Sequence, residues 1–248
     1  MALIPLKCPH CDSAEAVKYG SSAVGTQRYI CRGKGCGRTF QHDYAYKGYD
    51  PRTRAEIYFL TVNGNGTRAT ARILGISADA VTAALRSFES DLWHVNREYL
   101  ENLKGANPEI EIVSGTEAEM DEMWSFVHDK SQQYWLWWAV ERKTGTPLAF
   151  HFGTRERENL DSPLALLKPF NVTQVYSDNN PAYASRIPEG THVTGKRGTQ
   201  KIERLRLSLR TWCSRLVRKG IRFSKRHDMR KIVVALVINF WFFSRTLA

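Results

Sequence analysis

The stretch AEMDEMWSFVH, residues 118–128, decides how the second half of this chain is expected to fold. Apolar residues recur through it and predict a β-strand. Asp121 lies inside this apolar run. Burying a carboxylate there is costly unless a cation compensates its charge, so Asp121 is a candidate metal ligand. Alternation along a strand places Glu119 on the same face as Asp121 and makes it a candidate auxiliary acid.

The elements around this strand predict an α/β domain of the ribonuclease-H-like kind. We expect strands at 118–128, 134–141 and 147–152, a helix at 155–168, strands at 172–176 and 191–194, and a basic helix at 196–219. In that order the first and fourth strands lie side by side and parallel. Sites in such sheets form at the carboxyl ends of strands. Asp178, which follows the fourth strand, would therefore meet Asp121.

The third candidate acid is Glu203, within the basic segment KRGTQKIERLR at residues 196–206. A lone acid among cations stays ionised, because nearby positive charge favours the carboxylate. Mg²⁺ (or Mn²⁺) prefers such hard oxygen ligands and substrate phosphate, so Asp121, Asp178 and Glu203 together predict phosphodiester chemistry. The cations predicted to hold DNA phosphates are Lys196, Arg197, Lys201, Arg204 and Arg206.

The charge of the chain is unevenly distributed. The net charge is +11. Residues 201–248 carry 13 basic and two acidic side chains, whereas residues 101–150 carry four basic and nine acidic ones. A solvated basic helix is one interpretation. The size of the asymmetry favours a polyanionic partner, double-stranded DNA, bound close to an acidic metal site.

Four of the five cysteines form a metal-binding pattern near the start of the chain. The two pairs are C-x2-C and C-x4-C, formed by Cys8, Cys11, Cys31 and Cys36. Two such knuckles offer the four thiolates of a tetrahedral Zn²⁺ site, with strands at 17–19 and 27–30 between them. We expect residues 1–48 to be a zinc ribbon whose folding depends on the metal. Buried free cysteines are the alternative, and Cys213 is expected to be an unpaired core residue.

Residues 51–90 predict three helices, at 54–62, 67–74 and from Ser77 through Phe88. Ala71, Gly75 and Val81 have the spacing of a helix-turn-helix, with glycine at the turn. The exposed side chains Ser77, Thr82 and Arg86 of the third helix would then face the major groove of DNA. An ordinary three-helix packing unit is the alternative. Residues 91–114 are expected to be a linker with a helix at 91–103, and residues 115–248 the catalytic domain.

No secretory signal is recognised at the start of the chain. The longest apolar run, at 232–243, is too short to span a bilayer and is expected to be a buried or partner-facing helix. We expect a protein without membrane contact, located in a prokaryotic cytoplasm and associated with the nucleoid.

Several motifs resemble the insertion-sequence-one family of transposases, in order and over most of the chain. They are AEMDEMW at 118–124, YSD at 176–178, TQKIER at 199–204, C-x2-C at 8–11, GTQRYIC at 25–31 and RATARILG at 68–75. The resemblance implies a DDE-type recombinase whose metal-binding triad is Asp121, Asp178 and Glu203. It also implies that residues 1–90 recognise the terminal inverted repeats of the element.

Two short segments depart from that family's pattern. Leu205 and Arg206 stand where better-known members have a His and an Asn, and Asn179 and Asn180 replace a Gly-aromatic pair. These changes indicate a divergent subgroup or a decaying copy.

The resulting hypothesis is a transposase that cleaves DNA at the element ends and transfers the freed 3′-hydroxyl to target DNA. Asp121 would bridge two metal ions, and Asp178 and Glu203 would each hold one. Two ends must be held together, so a homodimer or a larger synaptic assembly is expected. The alternatives are a non-catalytic sequence-specific DNA-binding regulator, an inactive transposase relic and a structure-specific nuclease.

Overall fold

The computed structural model describes residues 6–105, 115–195, 198–217 and 222–247. These residues fall into two compact units. The described residues of the first unit are 6–60 and 67–84, and those of the second are 61–66 together with 85–105 and the later described ranges. The first unit thus contains both the expected zinc ribbon and most of the expected helical segment.

The first unit begins with a three-stranded antiparallel sheet. Its strands are β1 (Ala16–Ser21), β2 (Gln27–Cys31) and β3 (Thr39–Gln41), in the order β1-β2-β3. The first two strands confirm the predicted pair, and β3 was not predicted. Tyr29 and Phe40 stack across β2 and β3 with ring centroids 5.8 Å apart, which gives this small sheet its apolar contact.

Three helices follow along the chain. They are α1 (Pro51–Val62), α2 (Thr67–Leu74) and α3 (Ala78–Arg86). Gly75 has a φ of +67°, a left-handed conformation that glycine adopts without strain, and it ends α2 as predicted. The Ser77 hydroxyl accepts a hydrogen bond from the Ala80 N–H at 3.0 Å and so caps α3. The third helix ends at Arg86, slightly before the predicted Phe88.

The second unit is built on a five-stranded mixed sheet in the order β6-β5-β4-β7-β8. The strands are β4 (Thr116–Val127), β5 (Asp129–Glu141), β6 (Pro147–Gly153), β7 (Val172–Ser177) and β8 (His192–Thr194). The pairs β4–β5 and β5–β6 are antiparallel, whereas β4–β7 and β7–β8 are parallel. The predicted element order and the parallel pairing of the first and fourth strands are both confirmed.

Among the described residues, five α-helices complete this unit. They are α4 (Arg97–Gly105), α5 (Asp161–Leu167), α6 (Pro181–Ala184), α7 (Gln200–Trp212) and α8 (His227–Trp241). Trp137 packs on Tyr183 of α6, and its neighbour Trp138 packs on Phe242 after α8. Because adjacent strand residues point to opposite faces, α6 and α8 cover opposite faces of the sheet.

The prediction that the apolar run at 232–243 forms a buried or partner-facing helix is confirmed in its buried form. In α8 every residue from Ile232 to Asn239 is buried. Within the described ranges, no helix is both long enough and apolar enough to cross a membrane.

The basic helix is shorter than predicted. The sequence favoured a helix at 196–219, but α7 runs only from Gln200 to Trp212, and Cys213 is extended. The Ser214 hydroxyl donates a hydrogen bond to the Gly64 carbonyl at 2.9 Å. The chain therefore leaves the helix to pack against a distant segment, a contact that helical periodicity does not encode. Residues 196, 197, 218 and 219 lie outside the described residues.

The first part of the predicted linker lies on the sheet. The helix expected at 91–103 begins only at Arg97, and the residues before it run beside β6. The Asn96 N–H donates to the Leu148 carbonyl at 2.8 Å, and the Phe150 N–H donates to the His94 carbonyl at 2.9 Å. Residues 106–114, the rest of the predicted linker, lie outside the described residues.

Candidate active site and zinc cluster

The parallel ladder between β4 and β7 determines which acids can meet. Glu119 is paired with Tyr176 at the end of this ladder. Extending the same register by two residues, beyond the last pair of the ladder, predicts that Asp121 and Asp178 lie side by side, because both strands run in the same direction. Both carboxylates also contribute to raising the pKa of Tyr183.

Asp121 is buried, with 8% of its surface exposed, and its carboxylate is hydrogen-bonded to the Arg206 guanidinium of α7. Burial raises the pKa of Asp121 from 3.8 to about 6, and the neighbouring Glu122 contributes in the same direction. Arg206 opposes this shift but does not cancel it. Burial therefore destabilises the ionised form of Asp121, and the Arg206 guanidinium that contacts it offsets part of this cost.

Asp178 follows the last residue of β7 and accepts a hydrogen bond at Oδ1 from the Asn180 N–H at 3.0 Å. The Asn180 side chain in turn caps α6, since its Oδ1 accepts from the Ala182 N–H at 3.1 Å. The loop after β7 is therefore held in a fixed turn, which orients Asp178 relative to the sheet.

Glu203 lies in the first turn of α7 and is exposed. This turn is attached to the sheet by Glu119, whose Oε2 accepts from the N–H groups of Lys201 at 3.0 Å and Ile202 at 3.1 Å. Burial raises the pKa of Glu119, and these two amides oppose the rise. Since side chains three apart share a helix face, Glu203 lies on the side of α7 from which Arg206 reaches Asp121.

The three acids are not drawn together into one metal-binding group. Within the described part of the chain, the four-cysteine cluster is the only group of three or more His, Cys, Asp or Glu side chains that could share a metal ion. Asp121 is turned to Arg206, and Asp178 to Asn180. The donor chemistry nevertheless suits a hard divalent ion, and the guanidinium at Asp121 shows that this carboxylate accepts a cation.

The residues predicted to bind DNA differ in exposure and in their hydrogen-bond partners. On α7, Arg204 is exposed, and the Lys201 ammonium donates to the Lys143 carbonyl. Lys196 and Arg197 lie outside the described residues.

On α3, Ser77 serves as the helix cap described above. The Thr82 hydroxyl donates to the Ala78 carbonyl at 2.9 Å. Arg86 forms an ion pair with Asp228 at 3.0 Å. Each of these three side chains thus has a partner within the protein.

The sequence did not assign a role to Glu122, and the structure surrounds it with donors. Asn180 Nδ2 lies 2.8 Å from its carboxylate, the Tyr183 hydroxyl 3.0 Å and Arg155 Nη2 3.3 Å. Burial raises the pKa of Tyr183 well above its usual value, followed by the effects of Glu122, Asp121 and Asp178. The Tyr183 hydroxyl therefore stays a donor among these carboxylates. Strand alternation predicts that Glu122 and Asp121 point to opposite faces of the sheet, but no local sequence pattern predicts the partners of Glu122.

The four predicted cysteines converge. Their Sγ atoms all lie within 4.8 Å of one another, with Cys8 and Cys36 3.8 Å apart and Cys11 and Cys31 3.5 Å apart. A tetrahedral ion with Zn–S bonds of about 2.3 Å requires sulfur atoms roughly 3.8 Å apart, so the cluster fits zinc. His10 lies near Arg38 instead, with its Nδ1 3.4 Å from the Arg38 guanidinium.

A four-cysteine cluster ahead of a mixed sheet with buried acids on its central strand defines a class, the proteins that combine a zinc ribbon with a DDE-type catalytic fold. The family model described as IS1 transposase matches residues 115–244, just over half of the chain. The chain belongs to the IS1 transposase family. The model of the InsA N-terminal domain, a zinc ribbon, matches residues 1–36.

Two curated relatives agree with this assignment. The insertion element iso-IS1n protein InsB of Shigella dysenteriae is 46% identical over 121 residues, 49% of this chain and 92% of its own. The IS1 4 protein InsB of Escherichia coli K12 is 42% identical over 122 residues, 49% of this chain and 73% of its own.

Two structures of viral proteins show a weaker likeness. The catalytic core domain of BIV integrase has a TM-score of 0.35 and 19% identity over 50% of this chain and 83% of its own. A chain of the simian T-cell lymphotropic virus intasome in complex with PP2A regulatory subunit B56 gamma has a TM-score of 0.35 and 14% identity, over 75% of this chain and 64% of its own. These low scores add nothing to the assignment.

Replacing Cys11 with serine should remove the zinc. A tetrahedral site with three thiolates binds the ion far more weakly, so metal content should fall from about one zinc per chain to well below half after dialysis. Elemental analysis measures this directly. Cys213→Ala is the matched control, because this thiol is buried in the other unit, and it should keep its zinc. Full zinc in Cys11→Ser would contradict the assignment.

Replacing Asp121 with asparagine should change how stability depends on pH. The raised pKa means that the folded state keeps a proton between pH 4 and 6 that the unfolded chain has lost, so ionisation of Asp121 weakens folding as pH rises. Relative to the parent, Asp121→Asn should gain up to about 3 kcal/mol between pH 4 and 7. Denaturant unfolding without added divalent ions measures the difference. Parallel profiles for both proteins would refute it.

Proposed function

We propose that this chain is a transposase that binds the terminal inverted repeats of an insertion sequence and catalyses metal-dependent DNA strand cleavage and strand transfer. One observation carries the proposal. The β4–β7 register, extended beyond its last pair, would bring Asp121 next to Asp178, and the Glu119 carboxylate accepts hydrogen bonds from the first turn of α7, which carries Glu203. Family membership supports the same reaction class.

Asp121, Asp178 and Glu203 would hold Mg²⁺ or Mn²⁺. When bound, such an ion supplies Lewis-acid activation of the attacking oxygen and neutralises charge on the scissile phosphate. Asp121, central between the other two in the proposed arrangement, is the candidate bridging ligand. Its contact with Arg206 would have to open to free both carboxylate oxygens, and α7 would have to bring Glu203 closer.

The chain's own cations would position the DNA. Arg204 is exposed beside Glu203, and Lys201 and Arg206 lie on the same helix. Lys196 and Arg197 precede this helix in sequence and are proposed to bind phosphates as well. A phosphate bound here would lie next to the acids, which is where in-line attack on a phosphodiester needs it. Arg206 would then exchange Asp121 for a phosphate oxygen.

The helices α2 and α3 are proposed to bind the element ends in a sequence-specific manner. The left-handed Gly75 between them and the cap at Ser77 support a helix-turn-helix. To contact DNA, Arg86 would exchange its ion pair with Asp228 for a phosphate or base, and Thr82 would lie alongside. Strand transfer inserts both element ends into target DNA, and the two ends must be held together, so the active species is proposed to be a homodimer or a larger synaptic assembly.

The proposal is tested with a plasmid that carries the native flanks of the gene. Purified zinc-loaded protein should cut at the flanks and join the freed ends when Mg²⁺ or Mn²⁺ is added. Asp178→Asn and Glu203→Gln should each lose at least about 100-fold in rate, because each removes a carboxylate proposed to hold the metal ions that stabilise the transition state. Glu189→Gln, an exposed acid outside the site, is the matched control and should keep the parent rate.

The products distinguish the alternatives. Binding of the flanks without cutting would indicate a DNA-binding regulator or an inactive relic. Cutting without joining would indicate a structure-specific nuclease. Parent activity in either triad variant would refute the assigned ligands.

Replacing Arg204 with alanine should flatten the salt dependence of DNA binding. Each phosphate contact contributes about 0.9 to the slope of log Kobs against log salt concentration, so the variant should lose roughly that amount. Fluorescence anisotropy with a flank duplex at several salt concentrations measures the slope. Lys168→Ala is the control, since this exposed cation follows α5 on the opposite side of the sheet. Equal slopes in the Arg204 variant and the parent would remove Arg204 from the interface.

A further inference from the structure

Glu122 is a buried acid that the proposed triad does not use. It points from β4 to the face opposite Asp121, and only 3% of its side chain is exposed. All its partners donate to it: Asn180 and Arg155 at Oε1 and Tyr183 at Oε2. Isolated burial of a carboxylate costs several kcal/mol, so these donors are needed to keep it there.

Asn180 connects this buried acid to Asp178. Its side-chain Nδ2 donates to Glu122 at 2.8 Å, and its backbone N–H donates to Asp178 Oδ1 at 3.0 Å. Its Oδ1 is also engaged, because it caps α6. With all three groups of Asn180 held, the turn that orients Asp178 is tied to β4 through Glu122.

We propose that Glu122 and Asn180 are positioning residues that fix the carboxylate of Asp178 for metal binding, an inference that rests on the proposed metal site. Neither residue would touch the metal or the DNA. Glu122, itself held by Tyr183 and Arg155, anchors the Asn180 amide, and Asn180 holds the turn at Asp178.

Asn180→Ser separates the positioning role from helix capping. Serine is a good N-cap and keeps the backbone N–H to Asp178, but it is too short to reach Glu122. The change is neutral in charge. Loss of outer-shell partners typically weakens metal binding 10–100-fold, so Mn²⁺ affinity of the zinc-loaded full chain should fall about tenfold in electron paramagnetic resonance titrations. Asn179→Ser, the same change at the exposed neighbouring residue, should bind Mn²⁺ as the parent does.

A double-mutant cycle with Glu122→Met, which has a similar length but no oxygen acceptor, cancels the effect of the lost charge. Once both carboxylate oxygens of Glu122 are gone, Asn180→Ser has no anchor left to lose, so the combined effect should be much smaller than the product of the two single effects. Tyr183→Phe, which leaves the ring in the core, should weaken Mn²⁺ binding about two- to fivefold in the same direction. Zinc content and thermal unfolding report whether each variant is folded.

The outcomes separate this inference from the proposed function. If the parent binds Mn²⁺ no better than Asp178→Asn, the metal site fails and the inference fails with it. If the parent binds Mn²⁺ but Asn180→Ser binds equally well, only the positioning role is overturned. Equal losses in Asn179→Ser and Asn180→Ser, or strictly multiplicative effects in the cycle, would also overturn it.

Discussion

The parallel pairing of β4 with β7 is the constraint on which the candidate site depends. After a register shift next to Thr116, the ladder keeps one interval between partners, and the interval that pairs Glu119 with Tyr176 is the same one that separates Asp121 from Asp178 in sequence. A slip of one residue would turn one of the acids to the other face of the sheet. The ladder therefore sets not only the fold but also which carboxylates share a face, before any helix is placed.

The buried acids of β4 then organise the helices around it. Glu119 receives the first N–H groups of α7, where the positive end of the helix dipole also favours an anion. Asp121 receives the Arg206 guanidinium from the same helix, and Glu122 receives the donors of α6 on the opposite face. A buried carboxylate without donors would cost several kcal/mol, so each acid selects the element that packs over it. The helices that pack on β4 are thus also the elements that compensate the charge of its buried acids.

Sequence patterns predict the parts of this arrangement that depend on local order. Apolar strand patterns and their succession predicted the sheet and its parallel pair, and the cysteine spacing predicted the four-cysteine cluster. The convergence of Asp121 with Asp178 stays a prediction. The predicted extension of the basic helix to residue 219 was wrong. The helix ends at Trp212 because the next residues pack against Gly64, which is remote in sequence. Alternation gave the faces of Glu119 and Glu122 but not their donors, because donors are chosen by tertiary contact.

Asn180 and Arg206, which depart from the family pattern, are in contact with the buried or candidate acids. Asn180 contacts both Asp178 and Glu122, and Arg206 contacts Asp121. The donor to Asp178 is the Asn180 backbone N–H, which any residue except proline would supply, whereas the donors to Glu122 and Asp121 are the substituted side chains. These two side-chain donors lower the cost of burying charge, and random change has no physical reason to supply both. We therefore propose that these positions belong to a divergent site, in which the Arg206 guanidinium would leave Asp121 when DNA or metal binds.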